Sequence, residues 1–149
     1  MIMKTFTTIL LIAISTTFFA QEYNLKKGYV AEGYDVVSYF SNTAEKGAKE
    51  FTTIYNAVKF KFSSKKNLET FKSAPKKYIP AYGGYCAYAL GTKGERVSIN
   101  PETFEIRNGK LYLFYNSWGT NTFKMWQEEG AEQLKEKADK NWVKIKKEK

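Results

Sequence analysis

Strict alternation between apolar side chains and lysine makes residues 58–62 the clearest single strand in the chain. A period of two places the apolar side chains on one face and the lysines on the other, as in a half-buried strand. Residues 51–55 also have high strand propensity, and the Asn56-Ala57 pair that follows them favours a turn. The pattern therefore predicts a hairpin of these two strands, with its apolar face turned inward.

A second hairpin is predicted around Asn108-Gly109, a dipeptide typical of tight two-residue turns between strands. Residues 104–107 lead into this turn and residues 110–115 leave it. The second segment is apolar on both faces, which is typical of a strand covered on both sides. We therefore expect residues 110–115 to lie centrally in the sheet.

Helical periodicity predicts four helices. Leu68 and Phe71 form the buried stripe of the first, and Phe123 and Trp126 that of the third, which Gly130 closes. The predicted segments are 65–73, 76–79, 121–129 and 131–141. With the hairpins they predict an α+β domain, in which two β-hairpins form a small antiparallel sheet with helices packed on one side.

Residues 82–90 contain the only cysteine of the chain, two adjacent glycines and three tyrosines. The Gly83-Gly84 pair permits close approach by another segment or by a ligand. The apolar run after it predicts a short strand that is buried on both faces. We expect this segment at the junction of sheet and helices, with Cys86 either in a tight corner of the core or in a small site.

Asp35 follows Gly33-Tyr34 at a predicted turn into a short helical segment, residues 36–40. An aspartate in this position typically caps the segment by accepting backbone hydrogen bonds. The alternative is a carboxylate that binds a ligand. Both interpretations place Asp35 at the start of the segment.

The formal net charge of +9 arises from 24 basic and 15 acidic residues, and Arg96 and Arg107 are the only arginines. Base and phosphate recognition favours the arginine fork, so this lysine-rich chain predicts no nucleic-acid partner. The absence of histidine excludes Ser-His-Asp and Cys-His catalytic pairs and histidine metal ligands. A single cysteine excludes an internal disulfide and a CxxC metal motif.

Residues 1–20 have the pattern of a secretory signal peptide, with Lys4 first, an apolar run next, and the small Ala20 before the predicted cleavage site. The alternative is an uncleaved anchor, but the run is shorter than the roughly 20 residues that span a bilayer. We expect a periplasmic or secreted protein without stable membrane insertion after cleavage. Its domain is predicted at residues 21–143, with a frayed, charged tail at residues 144–149.

Short segments of this chain match, in order and spacing, those of a known domain family. They are Gly33-Tyr34-Asp35, Tyr39-Phe40, Tyr55-Asn56, Lys61-Phe62-Ser63-Ser64, Asn67, Phe71, Pro75, Tyr78, Tyr82-Gly83-Gly84-Tyr85-Cys86-Ala87, Asn100-Pro101 and Asn108-Gly109-Lys110-Leu111-Tyr112-Leu113. Over residues 33–142 the chain resembles the YHS domain family in its exported, single-domain form. The resemblance implies a fold related to treble-clef and TRASH-type domains, and a link to heavy-metal handling, since YHS domains often occur in copper-transporting ATPases.

Metal-type members of that family carry three cysteines that this chain lacks. One ends an Asp-Pro-Val-Cys segment, and two form a Cys-Ser-x-x-Cys pair at the hairpin-to-helix junction. The corresponding positions here are Ser38, Ser63 and Asn67. Because hydroxyl and amide groups hold soft metals poorly, the resemblance implies the fold without a metal knuckle at these positions.

Cys86 is the candidate metal ligand, as a thiolate for Cu(I) or another soft ion. Met125 is the one further soft ligand after the predicted cleavage site, and the alternative role of Cys86 is a buried structural residue. A second candidate site is a pocket for a flat or cationic ligand, with Asp35 in support. The tyrosines that would line the pocket are Tyr34, Tyr82, Tyr85, Tyr88 and Tyr112. The alternative is that these tyrosines pack in the core.

The resulting functional prediction is an exported, non-enzymatic binding or accessory domain whose ligand is a heavy metal such as copper, anchored by Cys86. One alternative is a small organic ligand held by the tyrosines, with Cys86 structural. A second is an enzyme that uses Cys86, Asp35 or a tyrosine. A third is a structural module that binds a protein partner.

Overall fold

Eight short strands and five helices form the part of the chain that the structure describes, residues 22–148 of a computed structural model. The predicted signal peptide, residues 1–20, lies outside the described residues. The strands are β1 Leu25–Lys26, β2 Tyr29–Val30, β3 Ala48–Tyr55, β4 Val58–Phe62, β5 Asn100–Arg107, β6 Lys110–Phe114, β7 Asn116–Ser117 and β8 Thr120–Asn121. The helices are α1 Lys65–Ser73, α2 Pro75–Tyr78, α3 Ala87–Thr92, α4 Thr122–Glu129 and α5 Ala131–Lys147.

The predicted α+β class is confirmed, and both predicted hairpins are present. They lie in separate sheets, however. Strands β3 and β4 belong to a four-stranded sheet of order β1-β2-β4-β3, in which β2 and β4 run parallel. Strands β5 and β6 form a two-stranded sheet of their own, and within residues 22–148 β7 pairs only with β8. The hairpins are therefore joined by side-chain packing rather than by a continuous hydrogen-bond ladder.

Strand β6 is buried on both faces because it lies between two hydrophobic cores. Leu111 and Leu113 face a core formed largely by the four-stranded sheet and α1. Tyr112 and Phe114 face a second core, formed with helices α3, α4 and α5. The prediction that this strand lies centrally in the sheet was wrong, because β6 is one of only two strands in its sheet in the described part of the chain. Both of its faces are covered by packed side chains.

The predicted strand in residues 82–90 is not formed. A 3₁₀ turn occupies Ala81–Gly84, Cys86 makes a single bridge to Leu113, and helix α3 begins at Ala87. Ala87 and Leu90 are buried one helical turn apart, so the short apolar run is the inner stripe of a helix. The run has too few residues to distinguish a buried strand from a buried helix by periodicity.

The close approach predicted at the Gly-Gly pair is confirmed. Gly83 has a φ of +61°, and a β-carbon there would lie 1.7 Å from the carbonyl oxygen of Glu22. The backbone N–H of Asn24 donates to the Gly83 carbonyl at 2.9 Å, and its side chain donates to the Gly84 carbonyl at 3.2 Å. The turn therefore fixes the first described residues against the helical core.

The helix boundaries follow local signals except at the C-terminal end. The side chain of Ser64 caps α1, and the side chain of Asn121 caps α4. Helix α5 continues six residues beyond its predicted end to Lys147, because Ile145 is buried against the second core. Residues 144–147, predicted as frayed, are therefore helical. Within residues 22–148, none of the helices combines the length and hydropathy that a membrane span requires.

Candidate functional site

Asp35 is fully buried and lies at the centre of a hydrogen-bond network. Its Oδ1 accepts from the backbone N–H groups of Val37 at 2.9 Å and Ser38 at 3.3 Å. Its Oδ2 accepts from the backbone and the hydroxyl of Ser63, at 2.9 and 2.7 Å, and from the side-chain amide of Asn67 at 2.7 Å. Asp35 accepts backbone hydrogen bonds as predicted, but the segment it precedes is a 3₁₀ turn, Ser38–Ser41, whose N-cap position is Val37. The same carboxylate also joins the β3–β4 hairpin to α1.

The three positions that the resemblance aligns with cysteines all contact Asp35. Ser63 and Asn67 donate to its carboxylate, and the hydroxyl of Ser38 donates to its backbone carbonyl at 2.8 Å. The cluster holds no sulfur or imidazole, and its carboxylate already accepts five hydrogen bonds. A soft metal does not fit here, because hydroxyl, amide and carboxylate groups are ligands for hard ions.

Cys86 is fully buried beside the start of α4. Its Sγ accepts from the backbone N–H of Tyr115 at 3.3 Å and lies 3.4 Å from the hydroxyl of Thr122. That hydroxyl donates to the Tyr115 carbonyl at 2.6 Å, so the thiol donates to the Thr122 oxygen. Cys86 also lines a cavity of about 310 Å³ together with Met125, which we call the Cys86 cavity.

The candidate tyrosines do not converge on one site. Tyr88 lines the Cys86 cavity, and its hydroxyl donates to Glu129 at 2.8 Å. Tyr34 lines a separate cavity of about 690 Å³, bordered by four lysines and called here the lysine cavity. The hydroxyl of Tyr85 donates to the Tyr23 carbonyl at 3.2 Å. Tyr82 and Tyr112 are brought together, on a third cavity.

This third cavity, the Tyr112 cavity, has a volume of about 610 Å³ and lies between the β5–β6 hairpin, α5 and the glycine turn. The rings of Tyr82 and Tyr112 lie 5.9 Å apart, and the ring of Trp142 lies 6.2 Å from that of Tyr82. Four basic and two acidic residues also line the cavity: Arg107, Lys110, Lys135, Lys146, Glu22 and Asp139. Aromatic surface and positive charge therefore occur together.

Half of these charged groups are already paired within the described residues. Arg107 contacts Glu105 and Glu132. Asp139 accepts from Lys135 and from the Tyr82 hydroxyl, both at 2.8 Å. Burial, and then this hydrogen bond, raise the pKa of Tyr82, so its hydroxyl stays protonated and committed to Asp139.

Two polar groups on the cavity wall have no partner among residues 22–148. Tyr112 is only 3% exposed, and its hydroxyl makes no hydrogen bond within the described chain, but the oxygen is not fully buried and is accessible from the cavity. Lys110, two residues away on the same face of β6, makes no ion pair within the described residues. Burial lowers the pKa of Lys110 and raises that of Tyr112. Both shifts reflect partial withdrawal from water, and neither polar atom is fully buried.

Part of this site follows from the sequence, because strand alternation places Lys110 and Tyr112 on the same face of β6. Sequence reasoning missed the residues that α5 supplies, Trp142 and Lys146. Trp142 lies just before the segment predicted as a frayed tail and Lys146 lies within it, where no local signal distinguishes a cavity wall from a solvated face. Within the described part of the chain, no group of three or more His, Cys, Asp or Glu side chains is arranged to hold a metal ion.

The resemblance to YHS domains stays a prediction from the residues quoted above. No protein-family model, curated protein or solved structure matches this chain.

Proposed function

We propose that this protein is a non-enzymatic binding domain that takes up a small, planar organic anion in the Tyr112 cavity. The observation that carries the proposal is the Tyr112 hydroxyl. The Tyr112 side chain is 97% buried, and its hydroxyl is accessible from the cavity and has no hydrogen-bond partner among residues 22–148. A ligand oxygen within that cavity would complete its hydrogen bonding.

The charge of the wall favours an anion over the cation that tyrosine rings alone suggest. Lys110 and Lys146 are the two basic residues there with no carboxylate partner in residues 22–148. Lys146 Nζ lies 5.9 Å from the centre of the Trp142 ring, so positive charge adjoins an aromatic face. An aromatic carboxylate would contact each of these groups if its carboxylate lay near Lys110 and Tyr112 and its ring packed against Trp142.

A direct test compares benzoate and indole-3-acetate with benzylamine, by calorimetric titration of the protein lacking residues 1–20. We expect the two carboxylates to bind and the amine not to bind. Tyr112→Phe and Lys110→Met should each weaken carboxylate binding by about tenfold, because each removes one hydrogen bond or charge contact with the ligand.

Tyr88→Phe is the matched control, because Tyr88 lines the Cys86 cavity and not the Tyr112 cavity. It should leave the affinity unchanged. Equal binding of benzylamine, or carboxylate affinities that neither Tyr112→Phe nor Lys110→Met alters, would contradict the proposal.

A second candidate function is Cu(I) binding at the Cys86 cavity. Cys86 and Met125 are the only cysteine and methionine in residues 22–148, and both line this cavity. A thiolate and a thioether are the soft ligands that Cu(I) prefers. The complete burial of Cys86 argues against a cysteine nucleophile, so this candidate is also a binding function.

Anaerobic titration with Cu(I) against a competing chelator tests this second candidate. Stoichiometric uptake should be lost in Cys86→Ser and weakened in Met125→Leu, because each variant removes one sulfur ligand. Uptake that is absent, or that persists in Cys86→Ser, would leave Cys86 with a structural role.

A further inference from the structure

Trp118 is the most exposed large apolar side chain in the described chain, with an exposed fraction of 97%. It occupies the turn between β7 and β8, a segment called here the Trp118 hairpin, residues 116–121. The other two tryptophans pack into the protein, since Trp126 is fully buried and Trp142 is partly buried. The fold therefore gains almost no apolar burial from Trp118.

The backbone at Trp118 is also unfavourable for a tryptophan. Its φ is +51°, in the left-handed region that bulky residues rarely adopt. Tight hairpin turns with two positive φ values favour Asn or Gly at their first position. Four turns in residues 22–148 have this form: Lys27-Gly28, Asn56-Ala57, Asn108-Gly109 and Trp118-Gly119. Asparagine occupies the first position in two of these turns. Trp118 adopts the same unfavourable conformation, and its ring is not buried in compensation.

The Trp118 hairpin borders the lysine cavity. Ser117 lines that cavity together with Lys26, Lys27, Lys46 and Lys61. The acidic residues on the same wall are Glu32, which pairs with Lys26 at 3.0 Å, and Glu102. The remaining three lysines form no ion pair within the described chain. The hairpin that carries the exposed Trp118 thus adjoins a surface with excess positive charge.

We propose that the Trp118 hairpin and the adjoining lysines dock the protein reversibly on an anionic phospholipid surface. Tryptophan partitions to the boundary between headgroups and acyl chains, because its ring is apolar and its N–H is polar. Lysines near an anionic leaflet add electrostatic attraction. The net charge of +9 acts in the same direction. This docking is independent of the ligand proposed for the Tyr112 cavity.

A lipid surface fits these residues better than a protein partner does. The centre of a protein interface is an apolar cluster, and lysine is depleted in such interfaces. Here one fully exposed aromatic side chain adjoins lysines, and the tyrosines that line the lysine cavity are partly buried. A bilayer boundary accepts one tryptophan without a complementary pocket, and it interacts with lysine without fixed geometry.

The test uses the protein lacking residues 1–20, with phosphatidylcholine vesicles that contain or lack 30% phosphatidylglycerol. We expect sedimentation with the anionic vesicles alone, together with a blue shift of tryptophan fluorescence as Trp118 leaves water. Trp118→Asn suits the turn and should fold normally, but it should lower vesicle binding by about tenfold and abolish the blue shift.

Val143→Ala is the matched control, because Val143 is 51% exposed on α5, away from the lysine cavity. It should bind anionic vesicles like the unmodified protein. Lys27→Glu combined with Lys46→Glu should weaken binding and reduce its dependence on salt concentration. The proposal is overturned if Trp118→Asn binds as tightly as the unmodified protein, if neutral vesicles bind equally well, or if neither vesicle type binds.

Discussion

Replacing Asp35 with alanine will lower the free energy of unfolding by about 4 kcal/mol, because it leaves the donors of Val37, Ser38 and Ser63 without an acceptor. Each orphaned, partly buried N–H costs on the order of 1 kcal/mol or more, and the cavity left by the side chain adds to that cost. Small domains have only about 5 to 15 kcal/mol of net stability, so this change removes a large part of it.

Asp35→Asn is the informative control for that variant. Its amide keeps one oxygen for Val37 and Ser38, but its NH₂ group then faces the donors of Ser63 and Asn67. We expect a loss of about 2 kcal/mol, since the Asn67 amide and the Ser63 hydroxyl can reorient whereas the Ser63 backbone N–H cannot. Denaturant unfolding followed by tryptophan fluorescence measures both values. Because Asn keeps the volume of Asp, an Asp35→Asn variant as stable as the unmodified protein would show that volume, and not hydrogen bonding, is what Asp35 contributes.

Trp126→Ala should cost a similar amount, about 4 kcal/mol, for a different reason. The Trp126 ring is fully buried and packs 5.4 Å from Phe114 and 6.0 Å from Tyr112, between centroids. Its N–H donates to Glu105 at 3.0 Å. Truncation leaves a large cavity behind Tyr112, whereas loss of the hydrogen bond is minor because Glu105 retains Arg107.

The same denaturant experiment, with Trp142 and Trp118 as the remaining fluorophores, measures the effect of Trp126→Ala. Trp126→Phe is the control, because it fills most of the volume without the N–H, and it should recover more than half of the stability. A loss below about 1.5 kcal/mol for the alanine variant would mean that the second core collapses around the missing ring.

Local chemistry was enough to predict many elements. The alternation of residues 58–62, the Asn108-Gly109 turn and the Gly130 stop each specify structure within a few residues, and each is present. Helix α3 was missed because its apolar run is short, and its helical state depends on packing against α5. Gly91 shows this dependence, since a β-carbon there would lie 2.6 Å from the Leu134 carbonyl oxygen.

In the candidate sites, too, some features follow from neighbouring residues and others depend on packing between distant segments. The role of Asp35 as an acceptor for nearby backbone N–H groups follows from its neighbours, but its bonds to Ser63 and Asn67 join residues 28 and 32 positions apart. Lys110 and Tyr112 share a face through strand alternation alone. Trp142 and Lys146 join them only because α5 packs across the hairpin, and no pattern within α5 indicates that contact.

The position of β6 between the two cores has a consequence for cooperativity. Leu111 and Leu113 belong to one core, and Tyr112 and Phe114 belong to the other, within a single run of backbone. Neither core can open fully while the other keeps this strand in place, so the two cores behave as one cooperative unit. The amide protons of β6 should consequently exchange with solvent only when the whole domain unfolds, while those of the Trp118 hairpin exchange through local opening.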